Sequence, residues 1–212
     1  MKLHQIITSL LETDLYKFSM GQAIYHKFPS YKTNWTFKCR NADVKFNSEM
    51  VEEIKEQIHA YCALRFTNEE LEYLSKIEWL HEDYIEHLQI WKPRFKDFTI
   101  GTDSPCGLSI EAKGTWLNTS MYEIPILAIV NEVYFRMSYN YNEIFEQYKR
   151  KLEEKKNWLI SGEYNLGAFS EFGLRRRLSA EAQDLAVKTL CENNKNYKES
   201  KCVGTSNVYL AK

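Results

Sequence analysis

GAFSEFGLRRRLS, residues 167–179, is the stretch whose reading decides the fold. The small and apolar run at 167–170 suits a short strand buried on both faces, as parallel sheets require. Gly173 then offers the freedom to turn sharply where the chain leaves the sheet. Ser179 reads as the cap of a following helix, with Glu181 near its amino end and Ala182, Leu185, Ala186 and Leu190 on its buried face. Residues 201–203 read as the next strand and run into Gly204-Thr205-Ser206-Asn207. Strand, helix and strand at this spacing make a parallel βα unit. Glu171, Phe172 and Arg175 then project from the carboxyl end of one strand, beside a loop at the end of its neighbour. Ligands bind at that end of open parallel sheets and α/β barrels. Arg175 offers a planar fork of donors for phosphate or carboxylate, and Phe172 a flat apolar face. The loop before the short segment NVYLA offers backbone N–H groups to an anion. On spacing alone, the three arginines suit a solvated charge run or a nucleic-acid patch as well as a site.

Outward from this unit, the chain alternates between helix and strand signals. Thr13-Asp14 reads as a helix start that Phe28-Pro29 ends. Residues 31–40, YKTNWTFKCR, put Trp35, Phe37 and Cys39 on one side and Thr36, Lys38 and Arg40 on the other, a half-buried strand. Residues 48–64 carry Val51, Ile54, Ile58 and Tyr61 at helical spacing. Thr67 to Glu70 matches a capping box, and another short helix is expected at 81–91. Residues 95–100 and 107–115 read as strands joined by a turn. Residues 121–158 read as largely helical, apolar first and highly charged later (KRKLEEKK), the charged part being a solvated face. The expected divisions are an α+β domain over 1–125, a connecting helix over 126–158 and the first βα units of a barrel over 159–212. No internal repeat or low-complexity linker interrupts them.

Composition narrows the function classes. With 212 residues, 44% hydrophobic and 14% aromatic, the chain has material for one large or two small cores. A net charge of −1, from 28 basic and 29 acidic residues, argues against a dedicated nucleic-acid binder. No apolar run approaches the ~20 residues that span a bilayer, and the first residues lack the apolar core of a signal peptide. Five cysteines without CxxC spacing indicate neither a disulfide framework nor a zinc site, and they fit a reducing cytoplasm. His81 and His87 are six residues apart, which separates them by roughly 120° on a helix, so no metal site is expected.

Four segments in order carry a resemblance: TDLYKFSMGQAIY (13–25), GTWLNTSMYEIPILAIVNEVYF (114–135), EFGLRRRLS (171–179) and GTSNVYLA (204–211). Together they resemble the nicotinate phosphoribosyltransferase family, which also holds the nicotinamide-using enzymes. The resemblance implies a type II phosphoribosyltransferase fold, in which an α+β domain precedes an α/β barrel. A full barrel takes about 250 residues, roughly 30 per unit, so the stretch beyond Leu159 accommodates about two strands of one. The chain therefore resembles the amino-terminal half of such an enzyme, inactive alone. The histidine that the family phosphorylates with ATP is expected beyond Lys212, leaving no catalytic residue within this chain.

The resemblance also implies the chemistry: nicotinate and phosphoribosyl pyrophosphate give nicotinate mononucleotide in NAD biosynthesis, with ATP hydrolysis and Mg²⁺. Phe172 is implied to stack on one face of the pyridine ring. Tyr16, from the neighbouring subunit of a homodimer with shared sites, is implied to cover the other. Arg175 contacts the ligand, Thr205 and Ser206 form the loop below the ring, and Asp14 belongs to the Tyr16 motif. The nicotinamide-using relatives read Gly-Thr-Asp where this chain reads Gly204-Thr205-Ser206. An aspartate there repels a carboxylate ~4 Å away by about 4 kcal/mol at an effective dielectric near 20. A serine donates a hydroxyl instead, although Ser206 also suits a plain helix cap. Two alternatives stand beside this reading: the same chemistry on nicotinamide, or a non-catalytic half-protein that pairs with another chain.

Overall fold

A computed structural model describes residues 3–212. The amino-terminal part is built on a three-stranded antiparallel sheet of β1 (Lys32–Thr36), β2 (Phe98–Gly101) and β3 (Ser109–Thr115), in the order β1-β3-β2. Ala112 of β3 sits opposite Trp35 on one side and Phe98 on the other. The alternation read at 31–40 holds in the burial of Trp35, Phe37 and Cys39, but regular pairing stops at Thr36. A single 3-10 turn, Phe95–Asp97, occupies the start of the stretch read as strand 95–100.

Of helices α1 (Tyr16–Lys27), α2 (Ser48–Ala63), α3 (Asn68–Ser75) and α4 (Glu82–Ile90), α2 packs on β2, and α3 and α4 pack on each other. The capping box is present: the Thr67 hydroxyl accepts from Glu70 N and the Glu70 carboxylate accepts from Thr67 N. Helix α1 starts later than the sequence predicts. Its first residue is Tyr16 after Leu15, with no side-chain cap, because Thr13 and Asp14 are drawn into a bridge with Asn207.

The helix expected over 121–158 is two helices, α5 (Trp116–Ser138) and α6 (Tyr141–Ser161), separated at Tyr139 and Asn140. Helix α5 begins at the end of β3, where Thr115 caps it by accepting from Asn118 N. Ile124, Ile126, Ala128, Ile129 and Val133 are fully buried, so α5 is apolar nearly all round and forms the spine of the core. Helix α6 buries only Leu152 and Leu159, and its charged run faces solvent as expected.

Beyond α6 the chain forms β4 (Gly167–Glu171), α7 (Ala180–Glu192), β5 (Ser200–Thr205) and a single helical turn, α8 (Val208–Ala211). Strands β4 and β5 pair in parallel as expected, and Ser179 caps α7 by accepting from Ala182 N at 3.0 Å. One expectation is overturned: β4 is not buried on both faces. Gly167, Ala168 and Ser170 are exposed and Phe169 only half-buried, because the strand has one neighbour and the helix of this unit packs against β5. Gly173 also serves differently. Its φ of −106° is open to any residue, but a Cβ there would fall 2.6 Å from Glu171 Oε1, the acceptor for its own amide.

Candidate active site

The carboxyl ends of β4 and β5 are joined by one carboxylate. Glu171 Oε2 accepts from Thr205 Oγ1 at 2.7 Å and from Gln183 Nε2 at 3.0 Å, while Oε1 accepts from Gly173 N at 2.6 Å. The Glu171 backbone carbonyl accepts from Ser206 N, and Gln183 Oε1 in turn accepts from Asn207 Nδ2 at 3.0 Å. This network sets the turn that presents Phe172 and the loop that presents Ser206. Thr205 is spent on it, since its hydroxyl also accepts from Asn207 N. Thr205 therefore holds the loop.

Residues 11–15 dock on that loop. Leu15 N donates to Ser206 O, Val208 N to Thr13 O and Tyr209 N to Leu11 O. The loop amides expected to receive an anion are thereby used within the chain. Asn207, not Ser206, caps α8, its side chain accepting from Tyr209 N. Ser206 Oγ instead donates to Asp14 Oδ1 at 2.7 Å. Burial raises the Asp14 carboxyl above the usual carboxylate range, while the Ser206 hydrogen bond and the Arg175 charge hold it back.

The same docking carries Tyr16 to Phe172. The two rings stack with centroids 6.1 Å apart and planes 20° apart, both with an exposed face. Tyr16 thus meets Phe172 within this chain. The reason is local: residues 11–15 are hydrogen-bonded to the loop of their own βα unit. Carbon atoms pack best at about 3.5 Å, so a flat heteroaromatic ring sandwiched by these two needs their faces about 7 Å apart.

Behind the rings lies a charged layer that the sequence reading missed. Lys17, 2% exposed, places Nζ 2.6 Å from Glu123 Oε2 and 5.2 Å from the Tyr16 ring centre. Arg175 Nη1 lies 3.8 Å from Glu123 Oε1, and its backbone carbonyl accepts from Asn131 Nδ2. Glu123 stands in an otherwise apolar helical run, and a charge in such a place is the signal that could have found it. The three arginines do not make one surface. Arg176 is exposed and Arg175 half-buried, whereas Arg177 is buried, donating to Glu12 Oε2 at 2.7 Å and to Ile6 O at 3.0 Å.

A cleft of about 680 Å³ opens beside Arg175, lined by Lys38, Arg40, Glu123, Asn131 and Arg176. Lys38 and Arg40 read from the sequence only as the solvent side of a strand. Four cations around one cleft suit a polyanion, and the Tyr16–Phe172 ring pair suits a flat aromatic ring.

Residues 11–131 match the family described as nicotinate phosphoribosyltransferase (NAPRTase) N-terminal domain. The chain belongs to the nicotinate phosphoribosyltransferase family. It is 40% identical over 209 residues to nicotinate phosphoribosyltransferase of Bordetella pertussis, covering 97% of this chain and 50% of that protein. The relative from Cupriavidus necator is 37% identical over 210 residues, with 98% and 52% covered. Among solved structures, nicotinate phosphoribosyltransferase from Porphyromonas gingivalis superposes with a TM-score of 0.80 at 32% identity, covering 97% of this chain and 51% of that one. The enzyme from Vibrio cholerae gives 0.82 at 26% identity, with 99% and 50% covered. This member of the family spans about half the length of the curated relatives it matches. Among the described residues, no helix is long and apolar enough to cross a membrane.

Proposed function

We propose that this chain carries the pyridine-binding part of a nicotinate phosphoribosyltransferase site, acting in NAD biosynthesis. The observation that supports it is the stacked Tyr16–Phe172 ring pair, with Arg175, three residues on from Phe172, lining a cleft that Lys38, Arg40 and Arg176 also line. The pyridine nitrogen of nicotinate attacks the anomeric carbon of phosphoribosyl pyrophosphate. A C–N bond forms as the C–O bond to pyrophosphate breaks, and pyrophosphate leaves with the electron pair. The nucleophile is a neutral lone pair, so the site needs no general base. It must instead hold the ring flat, aim its nitrogen and hold the phosphates. Tyr16 and Phe172 do the first, Arg175 faces the carboxylate or an adjacent phosphate, and Lys38, Arg40 and Arg176 hold the polyphosphate. The five cysteines are free thiols, which supports a reducing compartment, the cytoplasm.

Family membership implies Mg²⁺ and ATP, and the described residues do not by themselves build a place for either. Glu171 is committed to three donors, Glu123 to Lys17 and Asp14 to Ser206, leaving no open carboxylate cage for magnesium. No histidine lines the cleft.

Ser206 supports nicotinate over nicotinamide. Its hydroxyl proton is donated to Asp14 rather than left for a ligand, so the support is its neutrality: a carboxylate at 206 would repel the ligand's own. The test is calorimetric titration of both ligands into the chain and its Ser206→Asp variant. The proposal expects nicotinate to bind the unaltered chain more tightly, and the variant to lose at least ~10-fold for nicotinate but far less for nicotinamide. Equal affinity of the unaltered chain for both ligands would overturn the nicotinate reading.

A further inference from the structure

Far along α1 from Tyr16, the structure assembles three side chains that the sequence leaves apart. His26 lies in the last turn of α1, His81 immediately precedes α4, and Asp83 lies in the first turn of α4. His26 Nε2 is 2.9 and 3.1 Å from the two Asp83 carboxylate oxygens, and the His26 and His81 ring centres are 5.4 Å apart. One donor atom from each residue lies within 4.8 Å of the other two.

This grouping is held from behind. Gln22, one turn before His26 on α1, accepts from His81 N at 2.7 Å through Oε1 and donates to Trp79 O at 3.0 Å through Nε2. One side chain thus pins the 79–81 segment against α1, with His81 facing His26. At Gly21 a Cβ would collide with the Tyr84 hydroxyl, so the glycine leaves room on α1 for a buried side chain of α4. The helices are fixed, and only exposed side-chain tips need to adjust.

We propose that His26, His81 and Asp83 form a site for a divalent transition cation of the zinc class, bridging α1 and α4. Two imidazoles and a carboxylate are a donor set for zinc, cobalt or nickel, whereas Mg²⁺ prefers oxygen throughout. Zinc–donor bonds of about 2.0–2.2 Å in a tetrahedron put donors ~3.3 Å apart. The observed spacing closes to that by rotation of exposed side chains, with water completing the shell. Binding replaces the His26–Asp83 hydrogen bond by two bonds to one ion. The proposal does not rest on the transferase reading.

The test is titration of the chelator-treated chain with Zn²⁺ by calorimetry and with Co²⁺ by absorption, alongside His26→Gln, His81→Gln and Asp83→Asn. His81 makes no cap hydrogen bond, so His81→Gln probes the site without disturbing α4. The expected result is one equivalent of Zn²⁺, at least ~10-fold weaker in each variant. A rise in Tm with Zn²⁺ should be seen in the unaltered chain and lost in His81→Gln. Cobalt should bind without the charge-transfer band that thiolate ligation gives. Three results would each overturn it: no saturable binding, binding unchanged in the variants, or a thiolate band placing the ion at cysteine.

Discussion

The two regions of this chain are held together by different forces. Around the β1-β3-β2 sheet, Ile54, Ile58, Ile110, Ala112 and Tyr122 are fully buried, and α5 runs through them as an apolar spine. Around β4 and β5, Val203 is 61% exposed and β4 has no fully buried residue. That region is tied down by Arg177 on Glu12, by Glu171 on its three donors and by the docked residues 11–15. Among the described residues, Leu174 and Val208 alone bring the chain beyond 140 into the main core cluster. Hydrophobic burial thus fixes the first region, and directional polar contacts aim the second. The proposed site lies at their junction, with Tyr16 and Asp14 from one and Phe172, Arg175 and Ser206 from the other.

The sharpest way to break this contrast is at Arg177. Removing its guanidinium leaves Glu12 buried without its ion-pair partner, held only by Thr8 N and Oγ1, and Glu132 short of a neighbouring charge at 3.7 Å. Arg177→Met should therefore cost about 3–5 kcal/mol in chemical denaturation. A loss under ~1 kcal/mol would show that the second region does not depend on its ion pair.

Leu174 probes the apolar link in the same way. Leu174→Ala, at a fully buried position, should cost about 2–5 kcal/mol. Val203→Thr, at an exposed one, should stay within ~0.5 kcal/mol. Similar losses at the two positions would erase the distinction between the regions.

Much of the first region is legible in the sequence because its signals are local. The Thr67 capping box, the apolar spacing of Val51, Ile54 and Ile58, and the alternation around Trp35 all report structure within a few residues. The parallel pairing of β4 with β5 and the cap at Ser179 are legible for the same reason. The misses are tertiary. Thr13 looks like a helix cap, yet its carbonyl accepts from Val208 N, a partner nearly two hundred residues away that no local pattern encodes. The buried strand read at 167–170 follows composition, but burial depends on neighbours, and β4 has only β5 beside it. The proposed site residues Tyr16, Phe172 and Arg175 are legible through resemblance, because they lie in the matched motifs. Lys17 meets Glu123 only when α1 packs on α5, and Lys38 and Arg40 join Glu123 only when the segment after β1 closes over α5.

A smaller effect sharpens the electrostatic side of the comparison. Burial raises the Asp14 carboxyl, so the folded state holds its proton to higher pH than the unfolded chain does. Stability therefore falls as pH rises through the window between the ordinary aspartate value and the raised one, then levels off. Asp14→Asn removes this dependence. Thermal melts should show the variant gaining on the unaltered chain as pH rises from acid towards neutral, with no difference in slope above the window. A gain that instead grows on acidification would mean that Asp14 is stabilised as the carboxylate.

Tyr16 and Phe172 stack within one chain, and chain mixing shows directly whether a ligand site takes its two rings from one chain or from two. Tyr16→Ala and Phe172→Ala should each weaken nicotinate binding by roughly 0.5–1.5 kcal/mol, the scale of an aromatic stack, with the fold intact. The two variants are then mixed in equal amounts, unfolded and refolded together, and titrated with nicotinate. If Tyr16 serves the Phe172 of its own chain, every site in the mixture keeps one defect and the affinity stays at that of the single variants. A fraction of sites recovering the unaltered affinity would contradict the account, since only a ring donated by a neighbouring chain could restore them.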